Sequence, residues 1–134
     1  MDYGRTITVD LAYDEAVPRV KEAFQEQGFG VLTEIDVRAT LKEKLDEETE
    51  PYVILGFCNP QLAHRALGVE PEIGLLLPCN VVVRRHAEQT LVHAQDAGVM
   101  VRIAGRPELE PIAEEAAQRI GRAMDSLPGT SRPR

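Results

Sequence analysis

The chain has 134 residues with a formal net charge of −7, and 43% of its residues are hydrophobic. This length and composition are typical of one globular domain that buries a core without a metal or a disulfide. The acidic excess disfavours binding to nucleic-acid phosphates, and no apolar run is long enough to span a membrane. Because the first residues do not resemble a signal peptide, we expect a cytoplasmic protein whose two cysteines are free thiols.

The N-terminal part of the chain alternates between strand and helix patterns. Apolar residues with a period of two predict strands over residues 3–11 and 29–36. Between these strands, apolar residues at helical spacing predict a helix that Asp14 caps and that ends at Gly28. Asp36 is expected to cap a second, short and charged helix.

The middle of the chain carries three further apolar segments. They predict strands over residues 52–57, 73–83 and 89–95. Asn59 followed by Pro60 predicts the start of a short helix between the first two of these strands. The strand over residues 73–83 is apolar on both faces, so we expect both of its faces to be covered.

The C-terminal part is predicted to be mainly helical. A long amphipathic helix is expected over residues 107–127, after an irregular stretch over residues 96–105. We therefore predict a single domain over residues 1–127 and a flexible polar tail over residues 128–134.

These elements together predict a fold class. Their order, β-α-β-β-β-β-α with short helical insertions, indicates an α+β protein with a curved antiparallel sheet and helices on one face. The other face of the sheet then needs a cover, which a partner subunit or a bound ligand would supply.

Two Cys-Asn dipeptides, Cys58-Asn59 and Cys79-Asn80, are the chemically unusual feature of the sequence. If the strands that carry them are antiparallel neighbours, both cysteines lie near each other at one rim of the sheet. Each asparagine amide offers two donors and an acceptor, and Cys58 precedes a helix N-terminus, where the dipole favours a thiolate. These four residues, together with His64 on the short helix, are therefore candidates for a ligand or thiol site.

Three interpretations of the cysteine pair remain open. In the first, both thiols are small buried hydrophobic groups, and both asparagines are caps or turn formers. In the second, the pair is a reactive dithiol that exchanges disulfides or carries sulfur, although the close Cys-x-x-Cys spacing is absent. In the third, Cys58, Cys79 and His64 bind a metal, but no fourth ligand is evident and no metal ligand is assigned. The sequence identifies no cofactor and leaves open whether the protein is an enzyme.

Several long segments of the chain resemble the family named domain of unknown function 302. The resembling segments are residues 28–37, 51–56 with 58–60, 62–67 and 71–83. The resemblance covers nearly the whole chain except the tail. It implies a fold similar to the TATA-binding-protein-like class, often homodimeric, but it implies no activity and, for an acidic surface, no DNA binding. The chain departs from the family at Arg106-Pro107, where relatives tend to have Asn-Pro.

The leading hypothesis is a small cytoplasmic protein that binds a small molecule or handles thiols or sulfur through its Cys-Asn motifs. We expect it to be a homodimer, with Cys58 and Cys79 at a rim or pocket and with neither a nucleic-acid nor a membrane partner. The alternative is an interaction or structural domain whose buried cysteines are inert. A further alternative is a Cys/His metal-binding protein.

Overall fold

A computed structural model describes residues 2–132. Its strands are β1 (Gly4–Val9), β2 (Gly30–Asp36), β3 (Tyr52–Cys58), β4 (Cys79–His86), β5 (Gln89–Gln95) and β6 (Gly129–Arg132). Its α-helices are α1 (Tyr13–Gln25), α2 (Val37–Leu45), α3 (Pro60–Val69), α4 (Gly98–Ala104) and α5 (Glu110–Asp125). Two 3₁₀ helices cover Pro71–Leu76 and Pro107–Leu109. None of the helices within residues 2–132 is both long and apolar enough to cross a membrane.

The strands form one six-stranded sheet in the order β2-β3-β4-β5-β1-β6. Every neighbouring pair is antiparallel. The predicted α+β class with an antiparallel sheet is confirmed, and β6 is an addition to the predicted order.

One row of paired residues across the sheet shows which of its faces is buried. Each residue of this row is no more than 3% exposed. The row runs through neighbouring strands as Ile7, Val92, Val83 and Val53. On the same face, Phe57 of β3 stacks on Phe24 of α1 with their ring centroids 4.5 Å apart. We call this side of the sheet the core face. Burying each large apolar side chain contributes about 1.5 to 3 kcal/mol to the stability of the fold, so these contacts hold the helices on the sheet.

The opposite side of the sheet, which we call the outer face, carries the alternate residues of the same strands. Its central row runs from β2 to β1 as Ile35, Ile54, Val82, His93 and Thr6. On β4, Val82 is partly exposed although its neighbours Val81 and Val83 are buried. The expectation that this strand is covered on both faces is therefore not met within a single chain.

The predicted strand over residues 73–83 is wrong in its first half. Pro71–Leu76 is a 3₁₀ helix, and β4 begins only at Cys79. Glu70 caps the 3₁₀ helix, because its Oε2 accepts a hydrogen bond from the Glu72 N–H at 3.2 Å. The short helix buries Ile73 in the core, and an apolar run of this length does not by itself distinguish a strand from a buried helical segment.

Two further expectations are corrected near the C-terminus. Residues 98–104 form α4 rather than an irregular stretch, with the Asp96 carboxylate accepting from the Gly98 N–H at 2.9 Å and Met100 buried. Gly129–Arg132, which we expected in a tail, pairs with β1 as strand β6. The rest of the expected tail, residues 133–134, lies outside the described residues.

Most of the predicted helix ends are confirmed. Asp36 caps α2, since its Oδ1 accepts from the Ala39 N–H at 2.9 Å, and Gly28 has the left-handed φ of +85° that ends the α1 segment. Asp14 is not a cap. Helix α1 begins at Tyr13, one residue earlier, so Asp14 lies in the first turn. A carboxylate there still interacts favourably with the positive end of the helix dipole.

The turn between α1 and β2 offers a matched test of backbone constraint. We expect Gly28→Ala to destabilise the protein by about 1 to 2 kcal/mol, because φ is positive there, with a further cost from the Asn59 amide nitrogen 2.8 Å from the added Cβ. Gly30→Ala, two residues on, has open space around the added Cβ and should be nearly neutral. Urea unfolding of both variants measures the difference, and equal stabilities would contradict the interpretation.

Candidate functional site

A cavity of about 320 Å³ opens at the rim of the sheet where β3 ends and β4 begins. We call it the rim cavity. Apart from Cys58, Asn59 and Cys79, its lining is hydrophobic. The side chains that form its inner wall come from β3, α3, α4 and α5, and they include Phe57, Leu62, Ala66, Met100, Ile112 and Ala116.

The structure places both cysteines in the wall of the rim cavity. Cys58 is the last residue of β3 and Cys79 the first of β4, as the antiparallel pairing of these strands requires. The residue directly opposite Cys79 is Phe57. Cys58 is therefore one position out of register with Cys79. Both cysteines are partly buried and neither forms a disulfide.

The electrostatic environment keeps both thiols protonated at neutral pH. Burial raises the pKa of Cys79 to about 11, and the neighbouring Cys58 contributes to the increase. Burial also raises the pKa of Cys58. The expectation that the α3 N-terminus favours a Cys58 thiolate is thus wrong in direction, because the loss of hydration disfavours the charged form.

Asn59 connects the cavity wall to the start of α3. It is 8% exposed, and its Oδ1 accepts a hydrogen bond from the Leu62 N–H at 3.1 Å. This bond caps the helix, as the Asn-Pro sequence predicted. The amide nitrogen of Asn59 faces the turn at Gly28, so the same side chain positions both the helix and the neighbouring turn.

The other two candidate residues lie away from the rim cavity. Asn80 is exposed, and its side chain does not line the cavity, while its backbone N–H donates to Gln95 Oε1 at 3.1 Å. His64 is exposed on α3 and does not line the cavity either. No group of three or more His, Cys, Asp or Glu side chains within residues 2–132 is arranged to hold a metal ion. The hypothetical metal site of Cys58, Cys79 and His64 is therefore not formed.

Sequence reasoning missed the feature that shapes the mouth of the cavity. The pairing of β2 with β3 shifts by one residue between Val31 and Thr33, so Leu32 is a bulge. Its side chain is 67% exposed and lines the cavity. The only sequence signal of this bulge is Gly56, which is paired with Thr33. A Cβ added at Gly56 would meet the Thr33 hydroxyl and lie 2.7 Å from Pro78.

A second missed feature is a polar network on the outer face. The Arg84 Nε–H donates to His93 Nε2 at 2.9 Å, and His93 Nδ1 lies 2.7 Å from Thr6 Oγ1. Because Nε2 accepts a hydrogen bond, the imidazole is neutral and its Nδ1–H donates to the threonine hydroxyl. Burial, and then the charge of Arg84, lower the pKa of His93 and so favour this neutral form.

The thiol environment predicts how the cysteines react. In a Cys58→Ser variant, alkylation of Cys79 by iodoacetamide should be slow and should accelerate about tenfold per pH unit from about pH 7 to about pH 10, because the thiolate is the reactive form. In the natural protein the pKa of Cys79 is about 11, beyond that range, and its main cause, burial, remains when Cys58 is replaced. A Cys79→Ser variant, which retains the less strongly shifted Cys58, is the control and should react faster. A rate that reaches a plateau below about pH 9 would instead reveal an activated thiolate.

Comparisons with known proteins agree on one family. The model of the family described as domain of unknown function DUF302 matches residues 5–127. A crystal structure of an uncharacterized conserved DUF302 protein from Bacillus stearothermophilus is similar to this chain, with 31% sequence identity and a TM-score of 0.86, and the match covers 93% of this chain and 98% of the other. No curated protein matches. The resemblance seen in the sequence is confirmed, and the chain belongs to the family of domain of unknown function DUF302.

Proposed function

We propose that this protein binds a small, uncharged, largely apolar molecule in the rim cavity. The observation that carries the proposal is the cavity itself, which opens at the rim and whose volume of about 320 Å³ is lined by side chains from separate strands and helices. Ligand sites in proteins typically have volumes of about 300 to 1,000 Å³ and mostly apolar walls with a few polar groups. The rim cavity meets both criteria.

The polar groups in the wall restrict the chemistry of the ligand. They are the amide of Asn59 and two thiols whose pKa values are raised by burial. None of these groups carries a charge at neutral pH, so an ionised ligand group inside the cavity would lose its hydration without a counter-ion. A neutral ligand, or the apolar part of a larger one, suits this wall.

The same pKa values favour binding over thiol exchange. Disulfide exchange requires a thiolate, and burial disfavours the thiolate of both Cys58 and Cys79. The cysteines in this proposal are soft, weakly polar wall residues that contact the ligand. Two free thiols also suit a reducing compartment such as the cytoplasm.

A cavity-filling variant tests the proposal. Ala116 on α5 is 5% exposed and lines the rim cavity, so Ala116→Leu should occupy part of the space that a ligand needs. We expect the neutral fluorophore N-phenyl-1-naphthylamine to bind the natural protein with enhanced fluorescence, and to bind Ala116→Leu at least about tenfold more weakly.

The matched control is Ala117→Leu. Ala117 is the next residue on α5, but it is exposed and does not line the rim cavity. This variant should bind the fluorophore as the natural protein does. Equal binding by all three proteins, or no binding by any of them, would contradict a ligand site in the cavity.

We further propose that two copies of the chain form a homodimer through their outer faces. The supporting observation is the apolar segment of the central row, where Ile35 is 47% exposed and Ile54 and Val82 are partly exposed. The core cluster draws its strand residues from the opposite face. A twofold interface would cover the same row on both copies at once.

Sedimentation equilibrium at micromolar concentration tests the dimer. The natural protein should sediment at twice its monomer mass of 14.8 kDa. Val82→Glu, in the middle of the row, should shift the equilibrium to monomer, because it would bury an unpaired carboxylate in the interface. Leu75→Glu is the control, since Leu75 is 86% exposed on the 3₁₀ helix outside the sheet. A monomeric natural protein would rule the dimer out.

A further inference from the structure

Asn59 is a buried wall residue of the rim cavity, and only one end of its amide is hydrogen-bonded. The residue is 8% exposed and lines the cavity. Its Oδ1 accepts from the Leu62 N–H at 3.1 Å, whereas its amide nitrogen donates to no group within residues 2–132. Because a buried donor without an acceptor is unfavourable, a free donor in a cavity wall indicates where a ligand can bond.

The helix that Asn59 caps fixes the orientation of this amide. A flipped amide would place its NH₂ group against the Leu62 N–H, and two donors cannot bond to each other. The amide nitrogen instead faces the turn at Gly28, where a second donor lies. A Cβ added at Gly28 would be 2.8 Å from Asn59 Nδ2 and 3.2 Å from Arg119 Nη1. That guanidinium nitrogen already donates to the Gln27 carbonyl at 3.0 Å, so the group that the amide nitrogen lacks is an acceptor.

The other side chains of the rim cavity offer a ligand no strong hydrogen bond. The remaining polar ones are the thiols of Cys58 and Cys79, which are weak donors and weak acceptors. All others are hydrophobic, and two of them, Leu32 and Leu67, are 67% and 42% exposed, so the apolar wall extends to the protein surface. A ligand that matches this wall has an apolar skeleton and one acceptor that reaches Asn59.

We propose that the ligand of the rim cavity carries a neutral carbonyl group, as in a ketone or an ester, whose oxygen accepts a hydrogen bond from the Asn59 amide nitrogen. This inference rests on the binding function proposed above. A carbonyl oxygen accepts a hydrogen bond and brings no donor of its own. That matters because the strongest acceptor among the lining side chains, Asn59 Oδ1, already bonds to Leu62. Asn59 thus selects the ligand as well as holding the start of α3.

The test compares two probes of nearly the same shape. Acetophenone has a carbonyl oxygen where isopropylbenzene has a methyl group. The dissociation constants of both are measured from amide NMR shifts during titration of the isotope-labelled protein. Asn59→Ser keeps a hydroxyl that can cap the helix but removes the amide nitrogen. It should raise the dissociation constant of acetophenone about five- to tenfold and that of isopropylbenzene less than about twofold.

The matched control is Asn80→Ser. Asn80 is the other asparagine that follows a cysteine, but it is exposed and does not line the rim cavity. This variant should bind both probes as the natural protein does. The same NMR spectra verify that each variant is folded.

The possible outcomes separate this inference from the proposal it rests on. If the probes shift residues that line the cavity but Asn59→Ser weakens both equally, the binding function stands and the role of Asn59 is wrong. If only isopropylbenzene binds, the carbonyl ligand is likewise wrong. If neither probe shifts the lining residues, both proposals are wrong. If Asn59→Ser unfolds, Asn59→Asp decides, because its carboxylate retains the cap without the amide donor. An unchanged ratio of the two dissociation constants in that variant would overturn the inference.

Discussion

The antiparallel pairing of β3 with β4 is the constraint on which the rest of the structure depends. It aligns Val53 with Val83 on the core face and Ile54 with Val82 on the outer face, so it determines which apolar residues the helices cover. It also brings the end of one strand to the start of the next. The two cysteines, which are 21 positions apart in the numbering, lie at the same rim only because of this register.

The burial of one face of the sheet explains the properties of both candidate surfaces. On the core face, the helices leave a gap at the rim, and the loss of hydration in that gap raises the pKa of Cys79 to about 11. On the outer face, Val82 is partly exposed, and the guanidinium of Arg84 donates to the neutral ring of His93 and forms no ion pair within residues 2–132. The acidic chain thus presents a neutral cavity on one side and a cation on the other.

Local signals in the sequence predicted the features that depend on neighbouring residues. The limits of β5 over residues 89–95, the Asp36 and Asn59 caps and the left-handed Gly28 all follow from period, side-chain chemistry or backbone freedom. The placement of both cysteines at one rim was also predictable, because it needs only the antiparallel pairing of two strands.

Other features depend on tertiary contacts that no local pattern contains. The apolar run over residues 73–83 divides into a 3₁₀ helix and a strand because Ile73 finds a place in the core. Strand β6 forms because β1 offers it a free edge. The prediction that the Cys58 thiolate is favoured was wrong. The helix dipole could be inferred from the sequence, whereas the degree of burial, which raises the pKa of Cys58, could not. The network around His93 needs the register of three strands.

The bulge at Leu32 has a consequence for how the protein avoids aggregation. Strand β2 is at the end of the sheet, and all seven of its residues are exposed. A regular edge strand of this kind is a template onto which a strand from another molecule can add. The extra residue interrupts the spacing of backbone donors and acceptors and increases the local twist. The residue that shapes the mouth of the cavity therefore also makes the free edge a poor template for growth of the sheet.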